Sequence, residues 1–120
     1  KNEEIQMNIV RIAVIWFAAT LANAGGWSNW ATPTQIDLER GNGILVYGAF
    51  GNPADCVVEN QIYISSAHSD YEKIFGLLLT AQAAQKEVRF YAHKCERVGW
   101  YSATADAFNM VTPDGAVTFR

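Results

Sequence analysis

The chain predicts a small α+β domain, an antiparallel sheet or barrel packed on one amphipathic helix. Three observations carry this. Tyr71, Ile74, Phe75, Leu78, Gln82 and Gln85 recur at three- and four-residue intervals, the period of a helix with one apolar stripe. The period changes to two in Val88-Arg89-Phe90-Tyr91-Ala92-His93-Lys94-Cys95, where Val88, Phe90 and Ala92 share one face and Arg89, Tyr91, His93 and Cys95 the other. Short alternating runs separated by turn residues flank this pair on both sides.

Taken in order, the first stretch is not fold. Met7 to Arg11 is a short basic start, Ile12 to Leu21 a short apolar run, and Ala22-Asn23-Ala24 a small-x-small cleavage pattern, so Met7–Ala24 reads as a secretory signal and Lys1–Gln6 as sequence upstream of the initiator. The apolar run is about half of the roughly 20 residues a membrane span needs, so no permanent membrane anchor is expected. The division is 1–24 for upstream residues plus signal and 25–120 for one domain, secreted or periplasmic.

Gly25-Gly26 is a flexible start, and Trp27-Ser28-Asn29-Trp30 sets two indoles three residues apart beside polar groups. Thr34 to Glu39 alternates as a first strand with Ile36 and Leu38 on one face. Arg40-Gly41-Asn42-Gly43 is a hairpin turn, and Ile44 to Phe50 a more fully buried second strand. After the Gly51–Asp55 loop, Cys56-Val57-Val58 and Gln61 to Ile64 read as one interrupted strand or two short ones. Ser69 and Glu72 have the spacing of a capping box, which starts the helix at Asp70. Beyond the strand ending at Cys95, Trp100 to Ala103 begins another strand pattern, Ala105–Val111 is a weaker one, Thr112-Pro113-Asp114-Gly115 is a turn, and Ala116 to Phe119 alternates as the last strand. Strands, one helix, then strands again give the domain OB-like character.

Composition narrows function by exclusion. The chain has 120 residues and a net charge of −3, its lysines and arginines interleaved with glutamates, so no basic stripe for nucleic acid is present. Cys56 and Cys95 are the two cysteines and behind an export signal read as one disulfide. His68 and His93 lack metal-ligand spacing, and no nucleophile-elbow, phosphate-loop or zincin motif occurs, so the chain is read as a non-enzyme without cofactor or metal. His68 reads as a solvated loop residue and His93 as a surface residue. The enzyme alternative would use His93 with Asp37 or Glu39.

Two surfaces are candidates for binding. Trp27, Ser28, Asn29, Trp30, Trp100, Tyr101 and Ser102 combine aromatic platforms with polar groups suited to sugar hydroxyls. Gly76, Thr80, Ala83 and Ala84 form a helix back without charge between Lys73 and Lys86, which reads as a subunit interface.

The export signal, Gln35-Ile36-Asp37 on an early strand, a cysteine after the second strand, Gln82-Ala83 in the helix, then Val88-Arg89-Phe90-Tyr91 and Gly99-Trp100-Tyr101 together resemble the B-subunit family of the bacterial AB5 toxins, the subtilase cytotoxin and pertussis-like B subunits. The resemblance covers roughly residues 34–101. It implies an OB-like domain in a homo-oligomeric ring with helices lining the centre, an outer surface that binds cell-surface sialylated glycans, and an exported enzymatic A subunit as partner. The chain departs from the family in having Ala84-Gln85-Lys86-Glu87 where a glycine turn is common, and in having cysteines for only one disulfide. Its Trp27–Thr34 segment has no residue-by-residue match, so no binding residue is carried over. The leading expectation is thus an exported, non-catalytic glycan-binding module that oligomerises; the alternative is a monomeric periplasmic structural or inhibitory domain that docks on another protein through a strand edge or the Arg89/Tyr91/His93 face.

Overall fold

The computed structural model describes residues 25–39, 41–98, 107–113 and 115–120. The signal reading and the candidates Trp100, Tyr101 and Ser102 lie outside the described residues. The rest is an α+β domain of two sheets and one helix. Its elements are β1 (Gly26–Trp27), β2 (Gln35–Leu38), β3 (Gly43–Tyr47), β4 (Val58–Ser65), α1 (Tyr71–Ala84), β5 (Val88–Ala92), β6 (Lys94–Glu96), β7 (Phe108–Val111) and β8 (Val117–Phe119).

The five-stranded sheet runs β2-β3-β4-β7-β6 and the three-stranded sheet β1-β5-β8. The sheets are separate, so of the two expected forms, sheet or barrel, a closed barrel is not formed. Pairing is antiparallel except for β4 with β7, which is parallel. That pair corrects the all-antiparallel expectation: the chain leaves β4 through the helix, β5 and β6 before returning as β7, a long crossover of the kind a parallel neighbour requires. The strand expected over Val88–Cys95 is one continuous path that changes sheets at His93. Upstream of it β5 pairs with β1 and β8, and downstream β6 pairs with β7, with the His93 N–H donating to the Met110 carbonyl at 3.1 Å.

The alternation within β5 places Val88, Phe90 and Ala92 in the interior as expected. Val88 and Phe90 join Ile44, Val46, Ile62, Ile64 and Val111 in the main core, which α1 covers with Ile74, Leu78 and Ala81. Each fully buried aliphatic side chain of this kind contributes about 1.5–3 kcal/mol, and truncating the inaccessible Leu78 to alanine would cost about 2–5 kcal/mol. On the other side of the five-stranded sheet, Leu45, Tyr63, Val98, Ala107, Phe108 and Met110 form a second apolar cluster. Burial on both sides explains the unbroken apolar run in β3.

The helix does not use its capping box. Ser69 donates to the Pro113 carbonyl at 3.4 Å, and no side chain caps the helix at Asp70. His68 takes the position instead, a correction to its reading as a solvated loop residue: it is 6% exposed, its Nδ1 accepts the Asp70 N–H at 3.0 Å, and its Nε2 faces the Gly115 carbonyl at 2.9 Å. A ring protonated on Nε2 satisfies both contacts and ties the helix start to the turn before β8. The interruption foreseen in β4 is Asn60, at φ 62°, where the register with β7 shifts. Asn60 Oδ1 also accepts the Gly51 N–H at 2.9 Å and so holds the preceding loop.

Candidate functional site

The exposed side of the three-stranded sheet carries the most concentrated set of recognition-type side chains among the described residues. Its geometry follows from strand alternation. With Val88, Phe90 and Ala92 inward, Arg89 and Tyr91 must point outward, and His93 continues the row where the path changes sheets. β1 lies alongside with Trp27 opposite Tyr91, so both rings project on the same side and meet edge to face at 5.3 Å between centroids. Tyr91 in turn packs on the His93 ring at 4.7 Å.

Two arginines interleave with the two indoles. The Arg89 guanidinium lies 4.2 Å from the Trp27 ring centre and 4.8 Å from that of Trp30, and Arg120 lies 4.3 Å from Trp30. The result is a continuous row, His93, Tyr91, Trp27, Arg89, Trp30, Arg120. Each cation–π contact at an exposed site is worth about 0.5–1 kcal/mol, so the row orders long side chains that would otherwise move freely.

The charges differ in how they are met. Arg120 is paired to Glu87 at 3.1 Å and its main chain exchanges both hydrogen bonds with Glu87. Arg89 donates from Nε to Thr118 Oγ1 at 3.2 Å and has no ion pair with any described carboxylate. Among the described residues, the Arg89 charge thus stands between two indoles without an ion pair. His93 Nδ1 lies 3.0 Å from Thr112 Oγ1.

The candidates from sequence divide accordingly. Trp27 is 40% exposed and Trp30 half-buried, and both belong to the row. Asn29 is exposed, with its side-chain amide against Gly51. Ser28 is buried, with Oγ donating to the Asn29 carbonyl and accepting the Phe90 N–H at 3.0 Å, so its hydroxyl fastens the strand and is not presented to a ligand. Sequence reasoning placed Trp27/Trp30 and Arg89/Tyr91/His93 on two separate surfaces. They are one surface, because the two-residue strand β1, whose Gly26 reads from sequence as part of a flexible start, pairs with β5. Arg120 had no signal at all.

Elsewhere, Cys56 and Cys95 form the expected disulfide, with Cα atoms 5.5 Å apart. It closes a separation of 39 residues, worth about 4 kcal/mol in the chain-entropy picture, and fits an extracytoplasmic setting. Gly76, Thr80, Ala83 and Ala84 are all exposed on α1. A cleft of about 470 Å³ opens between α1 and β8, lined by Ile74, Leu77, Val117 and the already bonded His68. Asp37 accepts from the Gln35 side chain at 3.0 Å. Among the described residues no cluster of three metal-ligating side chains occurs and no helix is long and apolar enough to cross a membrane.

The chain matches no protein-family model, no curated protein and no solved structure.

Proposed function

We propose that this protein is a secreted or periplasmic, non-catalytic binding module whose ligand is a carbohydrate, and that it works as a homo-oligomer. The observation that carries the reading is the row on the three-stranded sheet: a 40% exposed indole fixed by an arginine, a tyrosine at its edge and the His93 ring beside that tyrosine. Aromatic faces stack on the C–H faces of sugars, and the surrounding donors orient hydroxyls.

The topology supports an OB-like relationship and, through it, the B-subunit reading. The strand order β2-β3-β4-β7-β6, the parallel β4–β7 pair and the single helix between β4 and β5 are the arrangement expected of a five-stranded OB-like unit that has opened into two sheets. On that reading a cell-surface glycan and an exported enzymatic subunit are the partners. One observation favours the second reading, an interaction domain that docks on a protein: guanidinium groups already occupy positions over both indoles, which reduces the area left for a sugar.

A glycan array followed by titration of tryptophan fluorescence separates the two. Trp27→Ala is expected to weaken glycan binding at least about tenfold, about 1.4 kcal/mol, while leaving the fold intact. Absence of glycan binding by the wild type, or binding unchanged by Trp27→Ala, overturns the carbohydrate reading.

A further inference from the structure

The hairpin between β2 and β3 brings together the parts of a chemical reaction. Gly43 opens β3 opposite Ser65, and the Ser66 N–H donates to the Asn42 carbonyl at 3.3 Å, so the main-chain groups of Gly43 turn away from β4 and toward β2. There the Gly43 carbonyl accepts the Glu39 N–H at 3.1 Å. The Glu39 carbonyl, the acceptor that would complete the pair, takes the N–H of Asn42 at 2.8 Å instead. The Gly43 nitrogen is therefore not held by that pair.

Gly43 is fixed in identity by packing. A first side-chain carbon there would lie 2.6 Å from both the Ile64 carbonyl and the Tyr63 ring. Asn42 is not fixed in the same way. Its side chain is exposed, and among the described residues its carboxamide has no hydrogen-bond partner. Its φ is not positive, so the left-handed conformation that asparagine tolerates is not what selects it. The other described asparagines differ. Asn52 and Asn109 bond to each other, Asn60 accepts the Gly51 N–H, and Asn29 precedes the bulky Trp30. Asn52 also precedes Pro53, which has no N–H.

We infer that Asn42 is a site of spontaneous deamidation that stays open in the folded protein. The Gly43 nitrogen gives up its proton to hydroxide and attacks Asn42 Cγ. The new N–Cγ bond closes a cyclic imide as the Cγ–Nδ2 bond breaks and ammonia leaves. Water then opens the imide. Addition at Cγ breaks the new bond and yields aspartate, whereas addition at the main-chain carbonyl carbon breaks the original peptide bond and yields isoaspartate, with the chain running through the former side chain. Glycine matters at the second position because it has no Cβ to hinder its nitrogen. Either product adds one negative charge to the net charge of −3. The isoaspartate form also lengthens the hairpin and displaces the Asn42 carbonyl, which accepts from the Ser66 N–H and from the Tyr63 hydroxyl, both at 3.3 Å. That form should melt at a lower temperature than the parent. The inference stands apart from the proposed function, and neither rests on the other.

The test incubates the purified full chain at about pH 8 and about 37 °C, folded and in urea, beside Asn42→Gln. Ion exchange follows the added charge, and peptide mapping by mass spectrometry locates the exchange of nitrogen for oxygen and separates aspartate from isoaspartate. An acidic species is expected to accumulate in the folded protein, with its first product at Asn42, isoaspartate in excess, and a rate within about tenfold of that in urea. Asn42→Gln keeps an exposed amide, should melt as the wild type does, and should not form the species. Absence of product at Asn42 in the folded protein, a folded rate more than about tenfold below that in urea, a first product at another asparagine, or an Asn42→Gln variant that acidifies as fast as the wild type would overturn the inference.

Discussion

Asn109 is wholly inaccessible to solvent, and each end of its amide is used. Oδ1 accepts the Ala54 N–H at 2.8 Å, and Nδ2 donates to Asn52 Oδ1 at 3.0 Å and to the Val58 carbonyl at 3.3 Å. Asn52 in turn brackets Cys56 through its N–H and its carbonyl. The loop that presents Cys56 to Cys95 is thus held by amides as well as by the disulfide. Replacing Asn109 by leucine would leave the Ala54 N–H without its acceptor in a part-buried site and should cost about 2 kcal/mol or more, read as a fall in the urea midpoint. A second residue-scale expectation concerns Tyr71, whose hydroxyl is pushed above its ordinary value of 10.0 by burial and, secondarily, by the charge of Tyr63. The folded state then holds the phenolic proton longer than the unfolded state. This contribution is fully present below the unfolded value and is lost as pH rises through the folded one. Urea midpoints taken from about pH 8 to about pH 11 should fall less steeply for Tyr71→Phe than for the wild type. Neither effect was legible in sequence: Asn109 sits in a weak strand pattern, and an asparagine gives no advance sign that its partners lie more than 50 residues away.

At the scale of elements, periodicity foretold α1 and β5 because each has a core on one side and water on the other, the condition under which a period is visible. What it missed were ends and partners. The Ser69/Glu72 spacing is present, yet Ser69 bonds across to Pro113 because the turn before β8 is packed against the helix start. Local capping chemistry lost to a tertiary contact. At the other end Gln85 closes the helix in the left-handed region, φ 55°, with its N–H donating to the Ala81 carbonyl. A side chain pays roughly 1–2 kcal/mol there that glycine avoids. Gln85→Gly should therefore stabilise the domain by up to about 1 kcal/mol, after the added freedom of the unfolded chain, whereas Ser69→Ala should change it by less than about 0.5 kcal/mol. Thermal melts of the two variants check both, and a destabilising Gln85→Gly would mean that the Gln85 side-chain bond to the Gln82 carbonyl matters more than the backbone. The two-residue β1 was illegible for a different reason: its only signal is the strand it pairs with.

At the scale of the whole molecule, the outward side of α1 is the surface whose composition least resembles one made for water. From Gly76 to Gln85 no charged residue occurs, Leu79 is 45% exposed, and the Thr80 hydroxyl is turned back to the Gly76 carbonyl at 2.9 Å. A side chain added at Gly76 would meet nothing, so that position is open for close approach by another surface. Charge decides whether this surface is an interface. In a monomer, Thr80→Lys with Ala84→Lys places two exposed lysines on a helix that tolerates them, with an effect on stability within about 0.5 kcal/mol. In a symmetric assembly with these helices facing one another, the same change brings like charges together from every copy, and the mass measured by light scattering should fall to that of a single chain, recovering as salt is raised. If a wild-type oligomer survives the double change intact, its contact lies elsewhere and the helix face remains exposed in the assembly.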